Sequence, residues 1–293
     1  MTRAGFVTLV GRPNAGKSTL LNRLIGQKLS IVSPKPQSTR DRVVGILTEG
    51  EAQMVLLDTP GLLDPEYELQ RTMSAVARAA IEDADVILHL IDATEGKIDP
   101  LIAAAGLTAS PKAPIVVAFN KIDRVNAGQR EAVQGLHPGA ALISATTGEG
   151  VNALVARVAS MLPESPFLYD PEDVSTQHLR YFVAELVRET ALEQLDDEVP
   201  YSVAVEIEEF REDRSPVYIR AVVYLERESQ KRIFIGTKGS RIRDIGKAAR
   251  HKVEQLVGSP VYLDLWVKVL PNWRKNPGAL TRLGYHVPQD KRR

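Results

Sequence analysis

The stretch Gly11-Arg12-Pro13-Asn14-Ala15-Gly16-Lys17-Ser18 decides the fold. It follows an apolar run, Phe6 to Val10, and opens into Thr19-Leu20-Leu21-Asn22-Arg23-Leu24-Ile25, whose leucines recur at helical spacing. Strand, then G-x-x-x-x-G-K-[ST], then helix is the context that a phosphate-binding loop requires. Backbone N–H groups and the helix N-terminus present positive partial charge to a polyphosphate. Gly11 and Gly16 let the loop curl without a Cβ in the way. Lys17 suits the β- and γ-phosphates, and the Ser18 hydroxyl suits Mg²⁺. The motif implies a nucleotide and a metal, and leaves the base and the use of the nucleotide open.

Working outward, residues 26–41 are polar, lack periodicity and contain Pro34 and Pro36, so a long mobile loop is expected. Strands are predicted at Val43–Thr48 and Ala52–Leu57, joined by the hairpin turn Glu49-Gly50-Glu51. The second ends in Asp58-Thr59-Pro60-Gly61, where an acidic residue suits a second Mg²⁺ contact and Gly61 can turn its N–H to a γ-phosphate. A helical stretch through Met73–Ile81 precedes a buried strand, Val86–Asp92. His89 within that run reads as a core residue rather than a catalyst. Further strands, Ile115–Phe119 and Ala140–Ile143, end in Asn120-Lys121-Ile122-Asp123 and Ser144-Ala145, and a closing helix is expected over 150–158. Continuous apolar strands alternating with helices predict a mostly parallel α/β sheet with ligands at the carboxyl ends of its strands.

Asn120 to Asp123 points to guanine. A carboxylate accepts from the N1–H and 2-amino groups together, donors that adenine lacks there, and a buried Asp would be left unpaired against adenine. Asn120 suits N7, Lys121 can lie along the base and brace the phosphate loop, and the Ala145 N–H suits O6.

Lys+Arg and Asp+Glu are each 37 among 293 residues, and cysteine is absent. Disulfides and cysteine-ligated metals are excluded, which suits a reducing cytosol. No apolar run approaches a membrane span, and no apolar signal segment precedes the first strand. The neutral total hides asymmetry. Residues 180–213 hold 3 basic and 11 acidic residues, whereas 231–252 hold 8 basic and 1 acidic. A polyanion site is therefore compatible with the balance.

Residues 163–173 are proline-rich and acidic, marking a fairly stiff boundary. Beyond it a helix is expected from near Thr176, then a strand carrying Tyr201, Val203, Val205 and Ile207 on one face, then a strand over Val217–Leu225. Gly236-Thr237-Lys238-Gly239 follows, flanked by Ile233-Phe234-Ile235 and Ile242, with Arg241 and Arg243 just beyond. Glycines there admit a nucleic-acid backbone and the cations meet phosphates; a solvated basic turn is the alternative. Lys231–Ile235 is open between strand and helix. A helix through Val253–Val257 and a strand over Val261–Val269 complete the region. The tail, Trp273 to Pro277, either adds phosphate contacts or caps the domain.

The motifs of the first half, with Ser38-Thr39-Arg40-Asp41, are similar to the five motifs of translation-factor-type GTPases. The second half resembles a type II KH domain, a module that clamps about four nucleotides of single-stranded nucleic acid. Together they resemble the Era family along essentially the whole chain. The resemblance implies an α/β P-loop GTPase domain over 1–165, a linker over 166–176, and an α+β KH domain over 177–293. It implies GTP/GDP and Mg²⁺ as ligands, held by Gly11, Arg12, Pro13, Asn14, Ala15, Gly16, Lys17, Ser18 and Thr19, by Asp58, Thr59, Pro60 and Gly61, and by Asn120, Lys121, Asp123, Ser144 and Ala145. Ser18, Thr39 and (through water) Asp58 are the expected Mg²⁺ residues. Lys17, Thr39 and Gly61 are the expected catalytic groups. Thr39 rather than Ser38 rests on the family pattern. Asn14 matches an asparagine that related GTPases use for K⁺, with a plain turn residue as the alternative reading. Leu62 stands where Ras-like GTPases carry a water-positioning Gln, so slow hydrolysis raised by a partner or an ion is expected. Gly236, Thr237, Lys238, Gly239, Arg241 and Arg243 are the expected RNA contacts. The implied partners are the 3′ region of 16S ribosomal RNA and the 30S subunit, whose maturation the protein would assist. A cytoplasmic monomer with some peripheral membrane association is implied, although the basic helix is better explained by RNA. The rivals are an ATP-using enzyme, an RNA-binding protein with a structural nucleotide site, and a GTPase acting at the membrane or in cell-cycle control.

Overall fold

The apolar runs of the first half become one six-stranded sheet. β1 (Arg3–Val10), β3 (Ala52–Asp58), β4 (Val86–Asp92), β5 (Ile115–Asn120) and β6 (Ala141–Leu142) are parallel, and β2 (Val43–Glu49) pairs antiparallel with β3 through the expected hairpin. The order is β2-β3-β1-β4-β5-β6. The helices are α1 (Lys17–Ile25), α2 (Glu68–Glu82), α3 (Leu101–Ala105), α4 (Ala127–Leu136) and α5 (Val151–Met161). Val44 and Gly45 are neighbours on β2 and so face opposite sides of the sheet. Val44 packs with Ala80 of α2, whereas a Cβ on Gly45 would meet Leu21 and Ile25 of α1 at 2.8 Å. Helices therefore cover both faces, which is why the strands read as unbroken apolar runs. His89 is buried in the middle of β4, as its run suggested.

The computed structural model describes residues 1–95 and 100–287. The chain divides into two compact units, Met1–Glu66 with Met73–Thr176, and Gln177–Arg293 with Tyr67–Thr72. Residues 288–293 of the expected second domain lie outside the described residues. The 166–176 stretch is packed along the first unit. Fully buried Gln53 donates to the Tyr169 carbonyl (2.9 Å) and accepts from the N–H groups of Leu168 (2.7 Å) and Tyr169 (2.9 Å). Val174 then accepts from the Ile46 N–H at 2.9 Å, covering the edge strand β2.

In the second unit, β7 (Ala204–Arg211) pairs antiparallel with β8 (Val217–Leu225), and β8 pairs parallel with β9 (Val261–Val269). α6 (Leu179–Gln194) starts three residues later than Thr176 predicted, and packs with α8 (Ser240–Val257) over one sheet face. Val187, Ala191, Ala221, Val223, Phe234, Ile245 and Ala249 form that core. Tyr201 departs from expectation. It lies in a 3-10 turn, Pro200–Ser202, ahead of β7, because Pro200 lacks the N–H that a strand pairing needs. Lys231–Ile235 is helical, within α7 (Glu228–Ile235). The tail forms a cap: Trp273 is fully buried, donates from Nε1 to the Ser202 carbonyl at 2.9 Å and stacks on Tyr285. A last helix, α9 (Pro277–Arg282), follows it. Among the described residues no helix is long and apolar enough to cross a membrane.

Candidate functional site

The phosphate loop, the loop after α1 and the ends of β3 and β5 enclose a cleft of about 580 Å³. Of the expected contacts, Pro13, Asn14, Gly16, Lys17, Ser18, Thr19, Thr39, Gly61, Asn120 and Lys121 line it. Arg12 turns aside to Glu95 at 3.8 Å. Gly16 has φ +93°, and a Cβ there would sit 2.1 Å from Asn120 Nδ2. Only glycine closes the loop against β5.

Lys17 is 5% exposed, and its ammonium donates to the carbonyls of Gly11 and Arg12 at 3.1 Å each. Burial pulls it down to about 8, against the opposing effect of Asp58. A polyphosphate in the cleft supplies the negative charge that favours its protonated form.

Asp58 is fully buried at the end of β3. Its Oδ2 accepts from Ser18 Oγ at 2.7 Å, from Ser30 Oγ at 2.6 Å and from Thr39 Oγ1 at 3.4 Å. The Ser18 and Thr39 hydroxyls are 3.0 Å apart. Asp58 Oδ1 is buried with no hydrogen-bond partner among the described residues. Burial raises the Asp58 pKa, opposed by Lys17 and the three hydroxyls. An orphaned carboxylate oxygen among hydroxyls fits a hard divalent cation with oxygen ligands. Of Ser38 and Thr39, Thr39 is the one brought to Ser18. Ser30 was not anticipated. Asn22 of α1 holds it in place, accepting from its N–H (2.9 Å) and donating to its carbonyl (2.8 Å).

At the base end several expected roles change hands. Asn120, not Lys121, braces the phosphate loop: its Nδ2 donates to the Ala15 carbonyl at 2.9 Å. Lys121 instead pairs with Asp92 at 2.5 Å, because a left-handed φ of +67° turns it back over β4. The Ala145 N–H, expected at O6, donates to Asn120 Oδ1 at 2.8 Å. Asp123 is exposed rather than buried, and Ser144 Oγ orients it by donating to Oδ1 at 2.6 Å. Thr59 points away from the cleft and donates to the Leu9 carbonyl at 2.7 Å, tying β3 to β1. Gly61 is required by contact with the phosphate loop, since a Cβ would meet Pro13 N at 2.7 Å. Leu62 is buried with Val10, Ala77 and Ile87 and is not among the residues that line the cleft. Asn14 has φ +65° and donates from Nδ2 to the Pro34 carbonyl at 2.9 Å, which leaves its Oδ1 facing other groups.

In the second unit, a 3-10 turn over Thr237–Gly239 joins α7 to α8. Gly236 has φ +72°, and a Cβ would meet Arg241 Cβ at 2.8 Å and N at 2.9 Å. Gly239 caps α8 with φ +77°. Lys238, Arg241 and Arg243 are exposed. Among the eight cations of 231–252, Arg250 and Lys252 form ion pairs with acids, and the other six form none among the described residues. Phe234 and Ile245 enter the core, while Ile233 stays 44% exposed beside the turn. Arg274 of the tail is not free for phosphate, since its Nε donates to Glu226 at 2.9 Å.

The sequence profile of the 50S ribosome-binding GTPase family matches residues 6–121, and that of the KH domain matches 198–274. GTPase Era of Halothermothrix orenii is 44% identical over 292 residues, covering 97% of this chain and 98% of that protein. The Pseudomonas aeruginosa GTPase Era is 43% identical, covering 97% and 95%. The chain belongs to the Era family of GTPases. Among solved structures, an Aquifex aeolicus Era variant bound to GDP·AlF4⁻ has a TM-score of 0.89 at 40% identity, covering 97% of this chain and 99% of that one. An Era complex with MgGDPNP and nucleotides 1506–1542 of 16S ribosomal RNA has 0.90 at 39%, with the same coverage.

Among the residues of this Era-family site that lie outside the linear motifs are Ser30, Asn22, Arg124 and Thr146. The last two line the cleft. Their neighbouring sequence carries no period or turn signal that marks them, so proximity alone reveals them.

Proposed function

We propose that this GTPase is a GTP-timed RNA-binding factor that holds the 3′ region of 16S ribosomal RNA and assists maturation of the 30S subunit. The observation that carries the reading is the cluster of six cations around Gly236–Gly239 with no acidic partner among the described residues, in a chain whose other half is a GTPase. Free cations beside a glycine turn attract and admit a phosphate backbone. The relative solved with MgGDPNP and 16S nucleotides supports it.

Lys17 and the loop N–H groups hold the β- and γ-phosphates, and Asp123, oriented by Ser144, reads the base. Ser18 and Thr39, with Asp58 through water, would hold Mg²⁺, which neutralises charge on the phosphate oxygens when bound. Leu62 gives up the water-positioning role, so intrinsic hydrolysis is slow. We assign Asn14 as a K⁺ ligand through Oδ1, its Nδ2 being spent on Pro34. Equal hydrolysis rates in K⁺ and Na⁺ would reject that assignment. The protein works as a cytoplasmic monomer in this reading. Peripheral membrane contact is left out of it, because phosphate recognition accounts for the basic segment.

The test is crosslinking to 16S RNA with GTP or GDP bound. Crosslinks from 236–243 to the 3′ region, at yields that differ between the two states, are expected. Equal yields remove the timing, and crosslinks elsewhere remove the RNA assignment. Retained ribosome maturation in Lys17→Ala would favour a plain RNA-binding protein.

A further inference from the structure

We propose that Arg23 is a positioning residue for base recognition, aiming the Thr146 N–H at the O6 edge of guanine. The proposal rests on the guanine reading of Asn120 and Asp123. Arg23 lies in the last turn of α1, outside every linear motif. Its Nε donates to the Ala145 carbonyl and its Nη2 to the Thr146 carbonyl. A planar guanidinium fork holds two successive carbonyls in fixed relative orientation, which a lysine cannot do. In a trans peptide the N–H points opposite to the C=O of the same plane. Drawing the Ala145 carbonyl to Arg23 therefore turns the Thr146 N–H the other way. Thr146 lines the nucleotide cleft, and its N–H makes no hydrogen bond among the described residues. The Ala145 N–H is already given to Asn120, so Thr146 offers the donor that O6 needs.

The rest of the loop is held by other means. Ser144 accepts from the Thr147 N–H on its hydroxyl at 3.0 Å and from the Gly148 N–H on its carbonyl at 2.8 Å. Those bonds leave the 145 and 146 carbonyls to Arg23. The chain bends around the guanidinium at Gly148, where φ is +91° and a Cβ would lie 2.9 Å from Arg23 Nη1. Arg23 forms no ion pair among the described residues, so its replacement strands no acid.

The experiment measures displacement of fluorescent GDP from the full chain by GDP, IDP and 6-thio-GDP. IDP lacks the 2-amino group that Asp123 reads, and 6-thio-GDP puts a weakly accepting sulfur at position 6. Arg23→Ala should weaken GDP and IDP by about tenfold each and 6-thio-GDP by less than about threefold. The GDP preference over 6-thio-GDP shrinks while that over IDP stays. Uniform weakening of all three, or two unchanged ratios, overturns the proposal. Arg23→Gln is the second variant should Arg23→Ala fold poorly, with the same expectation. In the wild type, the Thr146 amide should gain hydrogen-exchange protection on GDP binding, and an unprotected amide also overturns it. A wild type that binds ADP as tightly as GDP fails the base reading itself, and the proposal with it.

Discussion

The nucleotide cleft and the GxxG turn both point glycine-bounded backbone at phosphate, yet they are built in opposite ways. In the cleft the groups are bonded to one another. Lys17 is 5% exposed and holds two carbonyls, Asp58 collects three hydroxyls, and Asn120 ties the phosphate loop to Ala145. At the turn, Lys238, Arg241 and Arg243 stand exposed with no ion pair among the described residues. A small ligand of fixed shape rewards a preorganised cage, because no reorganisation follows its entry. A flexible polyanion is met better by free cations, whose attraction is long-ranged, adaptable and sensitive to salt.

Breaking the cage should therefore cost far more per residue than trimming the turn. The largest effect is expected for Lys17→Ala, which should lower single-turnover GTP hydrolysis by about 10³-fold. RNA binding by the GDP-bound variant should be unchanged, and a parallel loss would erase the contrast. Asn120→Ala cuts both of its ties and should weaken GDP, by calorimetry, about 100-fold. At the turn, joint replacement of Lys238, Arg241 and Arg243 by Ala should weaken a single-stranded 16S fragment about tenfold, and lower the slope of log affinity against log salt by about two. GDP affinity should not move; a salt slope that stays put would mean these cations touch no phosphate. The smallest effect is expected for Ser30→Ala. It removes one donor from buried Asp58 and should lower the denaturant-measured stability of the nucleotide-free protein by about 1 kcal/mol. No change there would make Ser30 a bystander.

The turn's two glycines also differ as probes. An Asp at Gly236 would drive its Cβ into the Arg241 backbone, whereas at Gly239 the nearest atom to a Cβ is Ile242 Cγ2 at 3.9 Å. A Gly239→Asp variant tests the RNA grip with less damage to the fold.

Much of this architecture was legible from one dimension. The phosphate loop is a local device, with its strand, glycines, lysine and helix all within residues 3–25, so its residues announce it. β4 matched its run residue for residue, since a strand buried on both faces reads as a nearly continuous apolar stretch. Where burial is shallow the pattern fades. α4 buries only Val133, and its visible signature is the capping box of Asn126 and Gln129 rather than a hydrophobic stripe. Tyr201 was assigned to β7 by alternation alone, and Pro200 overruled it.

The sequence by itself determined the two-part organisation, the order of the strands along the chain, the phosphate loop and the GxxG turn. Each depends on period, turn chemistry or charge read within a few residues. Only the tertiary structure decided which polar group meets which. Ser30 reaches Asp58 across 28 residues and Arg23 reaches Ala145 across 122. Asn120 took the brace assigned to Lys121, and Trp273 turned the tail into a cap. A buried donor binds whichever acceptor the closed sheet and its helices bring within about 3 Å, and that neighbour is set by packing rather than by position along the chain.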